Sequence, residues 1–197
     1  MSNTICPLPW SSVEVDAMGN IKPCCLSTLS IARIQDSTLS AALNDEKMKS
    51  IRQQMLNGQK PVECKKCWEA ESAGHTSKRQ HALVKYKKQS DVALRFLDLK
   101  LGNICNIKCR ICGAHSSSQW ATEEYQNTKN REQYHRISSA GRWPRENSSF
   151  WTEIEQCLPH IEEMEITGGE PLLIDEQFRV LKKAVEMGVA KNIHIHY

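Results

Sequence analysis

Nine cysteines in 197 residues constrain this chain more than any other feature. Cys6, Cys24, Cys25, Cys64 and Cys67 lie in the first third; Cys105, Cys109 and Cys112 form a tight later group, and Cys157 stands apart. Such a set can serve disulfides or metal, and the redox compartment decides between them. The opening residues, MSNTICPLPW, lack the basic start and apolar stretch of a secretory signal. The expected location is therefore the cytoplasm, where thiols stay reduced and metal is the better use for them. A hydrophobic fraction of 40%, a charged fraction of 25% and a mean hydropathy of −0.53 describe a soluble globular protein. No apolar run approaches the roughly 20 residues of a membrane-spanning helix, which excludes a spanning chain, and the composition excludes a disordered one.

The net charge of +3 is unevenly spread. Residues 1–90 hold 13 Lys and Arg against 8 Asp and Glu, and residues 91–197 hold 13 against 15, so the halves carry +5 and −2. Much of the excess sits at Lys78, Arg79, Lys85, Lys87 and Lys88. Such a run serves either as a solvated helix face or linker, or as a contact for RNA or an acidic partner. Only Tyr86 is interleaved as an aromatic, which is thin support for base stacking.

The first third reads as a small α+β module. Val13, Val15 and Ile21 flank a turn at Gly19 and Asn20, which predicts a hairpin, and Pro23 ends its second strand before Cys24. Asn44 or Asp45 can cap a helix over 46–56, with Met48, Ile51 and Met55 on one face and Gly58 as its stop. Pro61 and a Cys64-x-x-Cys67 turn follow, then a polar, basic linker or connecting helix over 72–91. The remainder alternates strands and helices. Strands are expected over 92–101, around Met164 and Ile166, and over 193–197. A helix followed by irregular chain near Gly141 and Pro144 is expected within 115–147, and another helix over 149–158. Asp175 can cap a helix reaching Glu186, with Phe178, Leu181 and Val185 on one face and Gly188 after it. This order predicts an α/β fold with a parallel sheet. Trp120, His135, Trp143 and Trp151 fall in or beside the long segment, where core packing is expected for the tryptophans.

Cys105-Asn-Ile-Lys-Cys109-Arg-Ile-Cys112 follows directly on a predicted strand. Three thiolates so close can each bind one iron of a [4Fe–4S] cluster, leaving the fourth iron for substrate or cofactor. Zinc with His115 as a fourth ligand, or unliganded cysteines, are the other readings of the same spacing.

These residues resemble the signature of the radical S-adenosylmethionine superfamily. A second match, Thr167-Gly168-Gly169-Glu170-Pro171 at the end of the next strand, resembles its GGEP motif. There the backbone and the Glu hold the amino group of the methionine moiety. Two glycines permit close backbone approach, and a carboxylate suits an ammonium. The resemblance implies an oxidoreductase that reductively cleaves S-adenosylmethionine to methionine and a 5′-deoxyadenosyl radical, which abstracts hydrogen from a substrate. The family usually places an aromatic residue before the third cysteine, near the adenine. Here that residue is Ile111, so a stacking role does not carry over.

The early cysteines resemble the auxiliary-cluster modules called SPASM and twitch, which usually follow the catalytic barrel and here precede it. The resemblance implies a second [4Fe–4S] cluster on Cys6, Cys24, Cys64 and Cys67, with Cys25 the alternative to Cys24 and structural zinc the alternative metal. Cys157, amid Ile154, Leu158 and Ile161, reads as a buried apolar cysteine. The implied organisation is a module and linker over 1–90 and a radical S-adenosylmethionine core over 91–197. Three strand–helix units fall short of a barrel of ~250 residues, so the expectation is the N-terminal half of a partial barrel in a truncated chain with an exposed last strand.

Strand alternation adds a further expectation. Met164, Ile166, Ile193 and Ile195 should face outer helices, and Asp98, Lys100, Glu165, Thr167, His194 and His196 should face a lumen, unless some merely meet solvent at strand ends. A metal pair at His194 and His196 has no evident third ligand. Peptides or proteins are the first substrate class by analogy, with small molecules or RNA behind them, and flavodoxin or ferredoxin the kind of reducing partner. The competing class is a non-catalytic electron-transfer or zinc-stabilised interaction module.

Overall fold

The computed structural model describes residues 3–86, 91–145 and 147–197. Its sheet begins at the expected hairpin. The Asp16 carboxylate accepts from the N–H groups of Met18 (2.9 Å) and Asn20 (3.0 Å), and Gly19 turns the chain at φ +80°. Strands β1 (Ser12–Val15) and β2 (Asn20–Lys22) then pair antiparallel, and β3 (Ala32–Arg33) pairs with β2. On its other side β1 pairs parallel with β4 (Phe96–Lys100), Val13 opposite Leu97 and Val15 opposite Leu99. Strands β5 (Glu163–Thr167) and β6 (His194–His196) continue in parallel, giving one six-stranded sheet of order β3-β2-β1-β4-β5-β6. The sheet runs without a break across the boundary expected near residue 90. It is open, with β3 and β6 at its edges.

The two faces differ because strand side chains alternate. Val13, Val15, Leu97, Leu99, Met164 and Ile166 are buried on one face. They join a core completed by α2 (Leu39–Leu43), α8 (Ser148–Cys157) and α9 (Asp175–Glu186). A buried carboxylate locks α2 to α8: Glu153 accepts from the N–H groups of Leu39 (2.6 Å) and Ser40 (2.8 Å), donors the helix itself leaves unpaired. Glu153→Ala is expected to destabilise the fold by about 2–3 kcal/mol, seen as a lower urea midpoint, with Glu153→Gln recovering part of the loss.

Helix α3 (Glu46–Leu56) starts on the Asp45 carboxylate, which accepts from the Lys47 N–H at 2.8 Å. Its apolar stripe bridges two clusters, with Met48 in the main core and Ile51 and Met55 on the opposite sheet face. Around them on that second face gather α1 (Leu8–Ser11), α4 (Lys65–Ser72), α5 (Lys78–Lys85) and the early cysteines. Residues 72–91 are thus partly an ordered helix, opened by a Ser77–Gln80 capping box.

Three expectations need correction. Asp175 is the first residue of α9 and not its cap; Ile174 stands at the cap position. The buried stripe of α9 is Gln177, Val180 and Ala184 with Leu181 beside it, while Phe178 and Val185 are 48% and 67% exposed. The helix lies on the sheet through the stripe one residue away from the one apolarity suggested. Ile195 was expected to face a helix and is 37% exposed, because β6 is the edge strand. Cys157 is half-buried against the main core.

The long connection holds α6 (Ser118–Thr128) and α7 (Arg131–Ala140), joined by Ala121, Ile137 and the Tyr125–Tyr134 ring pair at 5.0 Å. Trp143 and Trp151 pack edge-on against Phe150 at 4.8 and 5.2 Å. His135 is exposed. No helix among the described residues is long and apolar enough to cross a membrane.

Candidate metal centres

Four of the early cysteines converge from three separate segments. Cys6 precedes α1, Cys24 follows β2, Cys64 sits at the cap of α4 and Cys67 in its first turn. All four line one cavity, with Leu8, Pro9, Pro23 and Met55 as its apolar wall. Cys6 and Cys67 are buried, and Cys24 and Cys64 are half-buried. Burial, reinforced by the neighbouring sulfurs, pushes the Cys64 thiol up to about 12; burial also pushes Cys24 up to about 12. Metal binding here must therefore displace protons. Arg79 closes the site from α5. It makes a forked bond to the Glu71 carboxylate (2.8 and 2.7 Å) and donates to the Ile5 carbonyl at 2.8 Å, next to Cys6.

Cys25 turns away from this cavity. Its sulfur accepts from Lys78 Nζ at 3.0 Å, and Lys78 also reaches Glu165 at 3.2 Å. Adjacent cysteines that spacing leaves equivalent thus occupy different surroundings, one among thiols and one among charges.

Cys105, Cys109 and Cys112 occupy the loop after β4. Cys105 is buried and the other two are exposed. Burial and then the nearby sulfurs of Cys109 and Cys105 push the Cys112 thiol upward, and the Cys112 N–H closes a turn on the Cys109 carbonyl at 3.0 Å. Polar groups pin the loop to the start of α6. The Ser118 hydroxyl lies 3.1 Å from both the N–H and the carbonyl of Cys105, the Ser117 hydroxyl donates to Ile107, and Trp120 Nε1 donates to the Cys109 carbonyl at 3.0 Å. These supporting residues carry no sequence signal beyond the capping preference of Ser117.

The Gly168-Gly169-Glu170-Pro171 loop leaves the end of the neighbouring strand and lies directly on the cysteine loop. The Glu170 N–H donates to the Ile104 carbonyl at 2.7 Å. Gly169, at φ +48°, has no room for a side chain, since a Cβ would stand 2.2 Å from that same carbonyl. At Gly168, φ +81°, a Cβ would stand 2.6 Å from the Lys100 Cβ. The Glu170 carboxylate accepts from the Leu172 N–H at 3.2 Å, which fixes its direction. Both loops lie at the carboxyl ends of adjacent parallel strands, the edge where open α/β sheets bind ligands. Ile111 is 98% exposed.

Between the two cysteine sites runs the polar sheet face. Asp98, Lys100, Glu165 and Thr167 lie on it, opposite the helix-covered core, joined by Glu14 from β1. His194 and His196 stand in register with Glu163 and Glu165 on the edge strand and are exposed. Lys100 pairs with Glu14 and stands 3.5 Å from Asp98; Lys78 stands 3.9 Å from Asp98. Among the described residues neither Asp98 oxygen accepts a hydrogen bond. Burial foremost, opposed by Lys100 and aided by Glu14 and Glu165, raises Asp98 from 3.8 to about 6. The folded state therefore favours protonated Asp98, and stability present below pH ~4 is lost as pH rises through 6. Asp98→Asn, which balances two carboxylates with two ammonium groups, is expected to stabilise the protein at pH 7.5 by roughly 1–3 kcal/mol. That advantage should shrink towards pH 4 in urea titrations.

The described members of the basic run each pair with a carboxylate of the chain. Lys78 serves this face, Arg79 holds Glu71, and Lys85 pairs with Glu163 at 2.6 Å. Tyr86 donates to Glu163 at 2.5 Å and stacks on Phe96. Lys87 and Lys88 lie outside the described residues.

No curated protein and no solved structure matches the chain. A family model does match its N-terminal third. Residues 6–68, which hold all four cavity cysteines, match the SPASM iron–sulfur cluster-binding domain.

Proposed function

We propose that this chain is a radical S-adenosylmethionine protein with an auxiliary iron–sulfur site, its catalytic cluster held by Cys105, Cys109 and Cys112. One observation carries the reading: the glycine-glycine-glutamate loop is built onto the backbone of Ile104, immediately before Cys105. An electron carrier has no use for a second loop fitted so closely beside its ligands. Two motifs that are each weak alone here form one surface at the carboxyl edge of the sheet.

The donor sets fit their groups. Three thiols on one short loop suit three irons and leave one open. Cys6, Cys24, Cys64 and Cys67 suit the auxiliary cluster, and Cys25, engaged with Lys78, is left out of the ligand set. Among the described residues no three metal-binding side chains close on a single point. The same four thiols could hold zinc, and what favours a cluster is the match of residues 6–68 to an iron–sulfur cluster-binding domain. Held beside Cys105, Cys109 and Cys112, S-adenosylmethionine would supply, on one-electron reduction, methionine and a 5′-deoxyadenosyl radical for hydrogen abstraction. The chain positions it. Gly168 and Gly169 let the cofactor approach the backbone, and Glu170 offers a carboxylate to its ammonium. Asp98, Lys100, Glu165, Thr167, His194 and His196 form the polar wall beside it. By analogy, peptides or proteins are the substrate class, with flavodoxin or ferredoxin as reductant.

Electron paramagnetic resonance of the anaerobically reconstituted, reduced protein tests this reading. Addition of S-adenosylmethionine should change the cluster signal, and Cys105→Ala should remove the responsive signal while the auxiliary one persists. A signal indifferent to the cofactor in a fully loaded protein would contradict it.

A further inference from the structure

The auxiliary site has a surface of its own. Outside Cys64 and Cys67 lies an open groove of about 570 Å³, lined by Lys60, Val62, Lys65, Trp68, Glu69 and Ser72 among others. Val62 at its rim is 72% exposed, and Leu56, at the end of the preceding helix α3, is 57% exposed. Both are unusual on so polar a segment. Lys60, Lys65 and Lys66 stand exposed around them. The one acidic lining residue, Glu69, is matched by Lys65 at 3.4 Å, so the rim stays positive. Trp68 forms the floor. It donates to the Pro61 carbonyl at 3.0 Å, lies under Lys60 at 5.6 Å, and follows Cys67 directly in the chain.

We infer that this groove docks a small acidic electron-carrier protein that reduces the auxiliary site. The inference rests on the iron–sulfur reading of the four-cysteine cavity. An apolar centre inside a charged rim suits a transient complex, in which opposite charge steers encounter and a small contact lets the partner leave. The occupant follows from position. The chemistry next to the groove is the four-thiolate site, whereas the cysteine loop and its glycine partner lie at the other end of the polar sheet face. Charge complementarity requires an acidic carrier. With a flavin carrier, the anionic hydroquinone loses one electron to become the neutral semiquinone, and the site held by Cys6, Cys24, Cys64 and Cys67 gains it with no proton moved.

The test uses a purified flavodoxin as the probe, with calorimetric binding and stopped-flow reduction measured at low and at physiological salt. Binding to the reconstituted protein should weaken steeply with salt. Lys60→Glu/Lys65→Glu/Lys66→Glu should weaken it at least tenfold at low salt, and Val62→Asp should do so alone. Arg136→Glu/Lys182→Glu/Lys191→Glu, carrying the same charge change elsewhere, should not. Iron and sulfide content, and reduction by dithionite, should be unchanged in every variant. If the triple variant sheds iron, Val62→Asp decides. Equal binding by the groove variants, equal loss in the control, or no binding to a fully loaded parent would each overturn the inference. A parent that holds no iron–sulfur cluster at Cys6, Cys24, Cys64 and Cys67 would instead overturn the reading beneath it.

Discussion

Gly169→Ala is expected to lower 5′-deoxyadenosine formation on the order of 100-fold, since a displacement of about 1 Å at reacting groups has effects of that size. The added methyl would meet the Ile104 carbonyl at 2.2 Å and the Asn103 carbonyl carbon at 3.0 Å. Both are backbone atoms, so neither can swing aside as a side-chain tip would. One of the two loops must move, and in the proposed function their fit would set the cofactor's ammonium against the cluster. Gly188→Ala is the matched control. Its φ of +70° imposes a similar backbone strain, but nothing among the described residues lies within 4 Å of the added carbon. It should cost about 1 kcal/mol of stability and leave turnover intact. Equal loss in both variants would show that strain, not the contact between loops, is responsible.

The second large effect separates adjacent cysteines. Cys24→Ala should halve the iron of the reconstituted protein, from ~8 to ~4 per chain for two [4Fe–4S] clusters, and should leave the cofactor-responsive signal in place. Cys25→Ala should keep ~8, because its sulfur meets Lys78 and not the thiol cavity. The loss at Cys24 should also lower thermal stability, since a cluster on these cysteines would tie together three segments that otherwise meet through a small apolar patch. Full iron content in Cys24→Ala, or halved content in Cys25→Ala, would reverse the ligand assignment.

Much of this arrangement was legible wherever the information is local. The alternation of Leu97 and Leu99 with Asp98 and Lys100, and of Met164 and Ile166 with Glu165 and Thr167, gives the two sheet faces directly, because side chains on a strand change sides at every residue. The Asp45 cap and the Gly19 turn are equally local. What could not be read is contact between distant segments. Nothing in Ser12–Val15 announces a parallel partner at Phe96–Lys100, so the sequence does not reveal that the hairpin of the N-terminal module shares a sheet with the later strands. Glu153 reaches across 114 residues to cap a short helix unseen in the sequence. The face of α9 was misjudged because Phe178 and Val185 are apolar yet exposed, while a buried Gln177 takes the place beside Val180. Lys78 and Arg79, part of a charge run that reads as a solvated helix face or linker or as a contact for RNA or an acidic partner, neutralise carboxylates and line the cysteine cavity.

The central claim is that the loop after β4 and the loop after β5 make one cofactor site. The most direct measurement is the product of that site. The protein is reconstituted anaerobically with iron and sulfide, reduced with dithionite, given S-adenosylmethionine and assayed for 5′-deoxyadenosine and methionine by liquid chromatography and mass spectrometry. The account predicts both products in equal amounts from the parent, and neither from Cys105→Ala or Cys112→Ala. A parent protein with both clusters fully loaded that forms no 5′-deoxyadenosine would contradict it.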